Sequence, residues 1–323
     1  MLYANDFLDR LETGLRTNLP AWGLPEDAPL RLLTISENAT WLVEGPELVV
    51  FRVHRPGYHD RDEILSELAW IAALRDEDAV PVPRPLPGLD GSLLQTFHDG
   101  EALRHAVCFE HVPGAEPDAD ADLPRWFHHL GGITARLHGH ARRFTLPKGF
   151  RRKHWTWETI IGPRAWWGDW RAAKGLGEDD RHLLERTDAA LRLATRAHGM
   201  GPDRFGLIHG DMRTANLLVQ GDRMVVIDFD DCGFGWHGYD FAAAISFIED
   251  SPLIPELMRS WVAGYRDVAP LDPGIEAALP MFVMLRRMQL TAWLASHAET
   301  PTALALPGYT AGTVDLARRW LGG

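Results

Sequence analysis

The residues of this chain best suited to chemistry lie in one stretch, "LIHGDMRTANLLVQGDRMVVIDFDD", Leu207 to Asp231. Asp211, Asn216 and Asp228 stand there among Leu, Ile and Val. Apolar segments normally exclude such groups, because burying a charge without a partner is costly. "NLLV" and "MVVI" read as short strands, and Gly221 and Asp222 between them supply turn chemistry, so the stretch reads as a hairpin. With the turn centred on Asp222, Asn216 faces Asp228 across the strands, where neighbours sit about 5 Å apart. Asp211 enters at the same end. An amide oxygen and two carboxylates so gathered form a hard ligand set suited to Mg2+, which takes one or two carboxylates and fills its shell from water and substrate phosphates.

Asp211 stands back from that metal and is placed to accept a hydroxyl proton. One Asp orienting a nucleophile, with Asn and a second Asp holding magnesium on phosphates, is the division of labour in kinase phosphoryl transfer. A hairpin capped by turn-forming Asp and Asn accounts for any one of these residues alone. All three together, in the order H-G-D-x-x-x-x-N, strand, I-D, match the kinase catalytic-loop pattern.

The elements that must position them follow from the rest of the chain. Its 323 residues, 46% hydrophobic, allow one large domain or two lobes. Residues 5–18 read as an amphipathic helix. "PLRLLTISENATWLVEG" and "ELVVFRV" read as strands, as do "GSLLQTF" and "HAVCFEHV". "DRDEILSELAWIAALRDED" has Ile64, Leu68, Ile71 and Leu74 at helical spacing. Beyond the Pro, Gly and acid cluster near 113–124 helical patterns dominate, over 122–142, 178–198, 236–250, 254–267 and 274–298. The expected fold is therefore α+β and bilobal: a nucleotide-binding lobe with a small antiparallel sheet (1–107), a hinge (108–114), and a larger, mainly helical lobe carrying the catalytic loop and acceptor site (115–323).

Composition excludes other classes. The net charge of −12 argues against a nucleic-acid partner. No apolar window is long enough for a membrane span; "LPMFVMLRRMQLTAWLASH" is interrupted by Arg286 and Arg287. "MLYANDFLDRLETGLR" is charged and lacks the apolar core of a secretory signal. Two cysteines, Cys108 and Cys232, make neither a disulfide framework nor a zinc set, so a reduced, cytoplasmic protein is expected.

"HGDMRTANLL" followed by "VVIDFDD" resembles the aminoglycoside phosphotransferase and homoserine/choline kinase superfamily, with its protein-kinase-like fold. "GYDFAAAI" resembles the family's later Y-D-L-A segment, and "RVHRPGY" a subgroup that includes stress-response kinase A-like proteins. The resemblance implies Mg2+ and ATP as cofactors, Asp211 as the base, Asn216 and Asp228 as metal ligands, and His209 and Asp240 as supports of the catalytic loop. A plain helix-capping role for Asp240 is compatible with this.

In the small lobe the resemblance calls for a strand cation on the phosphates, usually Lys; the matching residue is Arg52, which grips phosphate bidentately. The alternative is an Arg52 that faces solvent on an alternating strand. Its carboxylate partner should be Glu67, on the apolar side of the next helix, with Glu63 as the rival. Between the first two strands, Ser36, Asn38 and Thr40 could offer donors to phosphate, or form an ordinary hairpin turn. "CFEHVPG" resembles the hinge, where backbone groups from Glu110 to Val112 would meet adenine. Trp155, Trp157, Trp166, Trp167 and Trp170 could wall an acceptor site or pack an insertion onto the helical lobe. The acceptor is a hydroxyl of a small molecule, aminoglycoside-, homoserine- or choline-like. The rivals are a Ser/Thr side chain of a protein, and a nucleotide-binding pseudokinase with no reaction of its own.

Overall fold

A computed structural model describes residues 5–35, 38–117 and 122–322. The chain divides into two compact units: Met1–Gly114 with Phe144–Arg152 and Val225–Asp230, and Ala115–Arg143 with Lys153–Met224 and Asp231–Gly323.

The first unit runs α1 (Asn5–Asn18), β1 (Leu30–Ile35), β2 (Ala39–Glu44), β3 (Leu48–Val53), α2 (Arg61–Asp76), β4 (Pro85–Leu86), β5 (Leu94–His98) and β6 (Leu103–Glu110). The sheet order is β1-β2-β3-β6, with β4 and β5 sharing the far edge of β6, and every pairing is antiparallel. Side chains alternate along β3, as a strand's period of two demands. Val49, Phe51 and Val53 join Leu11 and Leu15 of α1 and Trp41 of β2 in one core, and Arg52 leaves from the opposite face toward α2. Helix α2 starts at a capping box, in which the Asp60 carboxylate accepts from the Glu63 N–H and the Glu63 carboxylate from the Asp60 N–H.

The second unit runs α3 (Leu123–Arg143), β7 (His154–Trp155), α4 (Trp157–Ile160), α5 (Glu178–His198), β8 (Phe205–Ile208), β9 (Leu217–Gln220), β10 (Arg223–Val226), β11 (Gly233–Trp236), α6 (Tyr239–Ala244), α7 (Ile254–Val268), α8 (Pro273–Ser296), α9 (Pro301–Ala305) and α10 (Tyr309–Gly322). The unit boundary falls within β10. β9 and β10 form the expected two-stranded hairpin around Gly221 and Asp222, with Gly221 at φ 62°. β11 lies between β7, parallel, and β8, antiparallel. Helix α6 is shorter than the helical pattern over 236–250: β11 takes Trp236, and Phe247 turns the chain at φ 72°.

Helices α3 and α7 touch backbone to backbone. A Cβ on Gly131 would lie 2.0 Å from the Trp261 carbonyl oxygen, and one on Gly264 1.8 Å from that of His128, so only glycine fits either position. The same α3 reaches the loop that follows β8, where the Thr134 hydroxyl lies 3.5 Å from Met212 Sδ. Among the described residues no helix is long and apolar enough to cross a membrane.

Candidate active site

In the second unit the chain leaves β8 at Ile208 and enters His209-Gly210-Asp211. Gly210 sits at φ 81°, and a Cβ there would meet the Asp231 carbonyl oxygen at 2.7 Å, so the turn needs a residue without a side chain. His209 is buried, and its Nδ1 accepts from the Asp211 N–H at 3.2 Å. Asp240, in the first turn of α6, accepts from the N–H groups of His209 (3.3 Å) and Gly210 (2.8 Å). Gly238 holds the N-cap position, so Asp240 supports the loop and does not cap the helix. Burial pushes the Asp240 carboxyl up from the usual range. Beside it His138 Nε2 lies 3.0 Å away and His138 Nδ1 lies 3.2 Å from the Tyr265 hydroxyl. Burial, with the charge of Arg142, holds His138 down to about 3, so the ring is neutral at pH 7.

The Asp211 carboxylate is held at both oxygens. Asn216 Nδ2 donates to Oδ2 at 2.9 Å and to the Asp211 carbonyl at 2.8 Å, and Arg213 Nε lies 3.4 Å from Oδ2. Arg286 Nη2 donates to Oδ1 at 2.5 Å. With its amide nitrogen turned to Asp211, Asn216 presents its oxygen away from that carboxylate. Arg286 comes from the middle of α8 and was not a candidate from sequence. Its signal was present all the same: two adjacent arginines inside the most apolar helical stretch of the chain.

Three of the five clustered tryptophans, Trp155, Trp167 and Trp170, are buried, whereas Trp166 is 49% exposed. Packing thus explains most of the cluster. Trp155 also donates from Nε1 to the Asp231 carbonyl at 2.8 Å, and the Trp167 ring lies 4.8 Å from the Arg286 guanidinium carbon.

In the first unit Arg52 is buried and makes two ion pairs: Nη2 with Glu67 Oε1 at 2.6 Å and Nη1 with Asp228 Oδ1 at 3.3 Å. The solvent-facing alternative for Arg52 is overturned. Glu63 instead serves the capping box and approaches His59 at 3.4 Å. Asp228 follows β10 in the left-handed region, φ 60°, a conformation Asp tolerates better than most residues, and its side chain is about half exposed at 46%. Asp230, two residues on, is buried between His54 (3.4 Å) and His59 (3.8 Å), and those neighbours with Arg52 hold its carboxyl well below the usual range despite burial. Burial and the Arg52 charge lower His54 to about 4.

Arg152 fixes this turn from outside the sequence motif. Its Nη2 donates to the carbonyls of Phe229 (3.4 Å) and Asp230, and its Nη1 to that of Glu63 at 2.9 Å. Neither Arg152 nor Asp230 stood out as a support from sequence, since the segment Phe144–Arg152 carries no periodicity that ties it to the sheet.

The remaining sequence candidates fare differently. Asn38 is buried and its Oδ1 accepts from the Arg55 N–H at 3.1 Å, so the side chain closes the end of β3. Ser36 lies outside the described residues. Glu110 ends β6, pairs with Arg75 at 2.9 Å, and uses its N–H on the Arg84 carbonyl. Val112 follows in an irregular, half-buried segment. Among the described residues no group of three His, Cys, Asp or Glu is placed to hold a metal by itself.

Comparison with known proteins sets this geometry in a family. The profile described as "Phosphotransferase enzyme family" matches residues 31–273, most of the chain. The solved structure of a microcompartment-associated aminopropanol kinase superposes with a TM-score of 0.89 at 46% identity, over 95% of this chain and 97% of that one. The amicoumacin kinase of Bacillus subtilis is 23% identical over 279 residues, 83% of this chain and 80% of the relative. Amicoumacin kinase hAmiN, solved with AMP-PNP, Ca2+ and Ami, shares the fold with a TM-score of 0.77 at 21% identity, over 93% and 92% of the two chains. The fold is the α+β, protein-kinase-like one expected, and the chain is a kinase that belongs to the phosphotransferase enzyme family, within the aminoglycoside phosphotransferase and homoserine/choline kinase superfamily.

Proposed function

We propose that this kinase moves the γ-phosphoryl group of Mg-ATP to the hydroxyl of a small amino alcohol of the aminopropanol type. The observation that carries the reaction is the Asp211 carboxylate, fixed at both oxygens at the end of a buried, hydrogen-bonded loop. The neighbour at 46% identity supports the acceptor class. The acceptor oxygen bonds to the γ-phosphorus as the bridging P–O bond to ADP breaks, and the hydroxyl proton passes to Asp211. Asn216 and Asp228 are assigned to Mg2+, which when bound would neutralise phosphate charge. Arg52, braced by Glu67, is assigned to the phosphates, with backbone donors near Ser36 and Asn38. The backbone from Glu110 to Val112 is assigned to adenine. His209 and Asp240 keep Asp211 in place. In this reading residues 1–107 bind nucleotide, 108–114 act as hinge, and 115–323 supply base and acceptor site. The enzyme works in the cytoplasm and needs no nucleic acid or membrane. Most of the rate enhancement comes from positioning and charge neutralisation.

The test is ADP release with Mg-ATP and a panel of 1-amino-2-propanol, ethanolamine, choline, homoserine, an aminoglycoside and a Ser/Thr peptide. The amino alcohols should give a kcat/KM at least about tenfold above the others. ADP release confined to the peptide would replace the small-molecule acceptor with a protein one.

A further inference from the structure

Helix α8 is buried almost all round, yet it carries Arg286 and Arg287, 1% and 2% exposed. A buried cation must be paired and hydrogen-bonded to be tolerated. Arg287 meets this with structural partners: Glu249 at 2.8 Å, the Tyr309 carbonyl at 2.9 Å and the Thr313 hydroxyl at 2.9 Å. The guanidinium of Arg286 is committed to the catalytic loop. Nη2 holds Asp211 Oδ1 at 2.5 Å, and Nη1 reaches the Gly210 carbonyl at 3.4 Å and the Tyr239 hydroxyl at 3.2 Å. Nε donates to the Ser246 hydroxyl at 3.0 Å, and the Trp167 ring covers the group at 4.8 Å. Ser246 is in turn held by donating its hydroxyl to the Ala243 carbonyl at 2.7 Å. Every edge of this cation is therefore fixed, and one of them bears directly on the base.

We infer that Arg286 is a positioning residue for phosphoryl transfer: it and Asn216 clamp the two oxygens of Asp211, one each, so that the carboxylate cannot rotate away from the acceptor hydroxyl. The inference rests on Asp211 as the base and not on the identity of the acceptor. A free aspartate turns about its last torsion, and each misdirected rotamer is lost to the reaction; two donors from separate elements remove that freedom before substrate arrives.

Wild-type turnover on the amino-alcohol panel is measured first. If it is absent, the acceptor assignment alone fails, and the comparison below is made on Mg2+-dependent ATP hydrolysis. Arg286→Ala should lower kcat by about a hundredfold while the KM for ATP moves by less than about threefold. Arg286→Lys should recover part of the loss, and ethylguanidinium added to Arg286→Ala should raise kcat by about tenfold, with no such rescue in Asp211→Asn. A kcat for Arg286→Ala within about threefold of wild type overturns the inference, as does a loss that neither lysine nor ethylguanidinium relieves. If Arg286→Ala does not fold, Ser246→Ala, which removes the Nε anchor and one local bond to the Ala243 carbonyl, decides: a severalfold fall in kcat supports the clamp, and an unchanged kcat overturns it.

Discussion

Removing the charge of Glu67 is the most informative perturbation of the first unit. Its side chain is 0% exposed, that of Arg52 6%, and the pair is closed at 2.6 Å. Breaking a buried ion pair from one side costs about 3–5 kcal/mol, because the surviving charge stays buried without compensation. Here the surviving Arg52 keeps Asp228 at 3.3 Å and remains near Asp230, so the penalty is softened. Glu67→Gln keeps the shape and an acceptor but loses the charge, which places the cost near ~2 kcal/mol, the range of one charged hydrogen bond. Glu67→Ala adds a cavity and loses the acceptor, which brings the cost to roughly 4 kcal/mol. Urea unfolding followed by amide hydrogen exchange of peptides from β3 and α2 reads this unit. A double replacement, Arg52→Met with Glu67→Leu, should be milder than Glu67→Ala, since the two buried charges leave together, Asp228 is half exposed and Asp230 keeps His54 and His59 beside it. If Glu67→Gln is as stable as wild type, Asp228 and Asp230 alone compensate Arg52, and the bracing role given to Glu67 is wrong.

Asp211→Asn should keep the fold and lower kcat by about a thousandfold, read by ADP release beside a circular dichroism spectrum. Chelation of Mg2+ by EDTA should abolish turnover, and Mn2+ should restore part of it. His54 has its pKa lowered from 6.5 to about 4 by burial, so the unfolded chain takes up this proton first as pH falls. Stability from His54 is present above 6.5 and lost between 6.5 and about 4, by roughly 3 kcal/mol at most, whereas the contribution of Asp230 disappears only below 3.8. Urea midpoints against pH should show a shallower slope between 6.5 and 4 in His54→Phe than in wild type. Gly131→Ala forces a Cβ to 2.0 Å from the Trp261 carbonyl and should destabilise the second unit by ~2–3 kcal/mol, seen as a lower Tm.

Much of this fold could be read from periodicity. The patterns over 5–18, 178–198 and 254–267 became α1, α5 and α7 with ends displaced by a residue at most. The Asp60 and Glu63 capping box went unread, since Glu63 was weighed only as the rival partner of Arg52, although a carboxylate pair three apart before an apolar run is its signal. The small sheet of β7, β11 and β8 was not readable, because strands of two to four residues containing Gly233 and Gly235 show no alternation. Among the candidate residues, Asp211, Asn216 and Asp228 stood out because polar groups in apolar runs violate a local rule. Arg286, Arg152 and His138 did not, since their partners Asp211, Asp230 and Asp240 lie at least about 70 residues away in sequence, and no local pattern encodes such a partner. Arg286 nonetheless broke the same rule as Asp211, and a charge search along every apolar helix would have found it.

The guanidinium at position 52 also changes how this enzyme can be poisoned. With nucleotide phosphates at this strand, as proposed, a lysine in place of Arg52 would be an ε-amine that an acylating nucleotide analogue could trap covalently. Arg52 offers no nucleophilic nitrogen: its pKa is driven further upward by Glu67, Asp230 and Asp228 against the pull of burial. Lysine-directed acyl-nucleotide reagents should thus pass over this strand and leave position 52 unlabelled, while dicarbonyl reagents that condense with guanidines should modify it only after the Glu67 and Asp228 pairs have been opened.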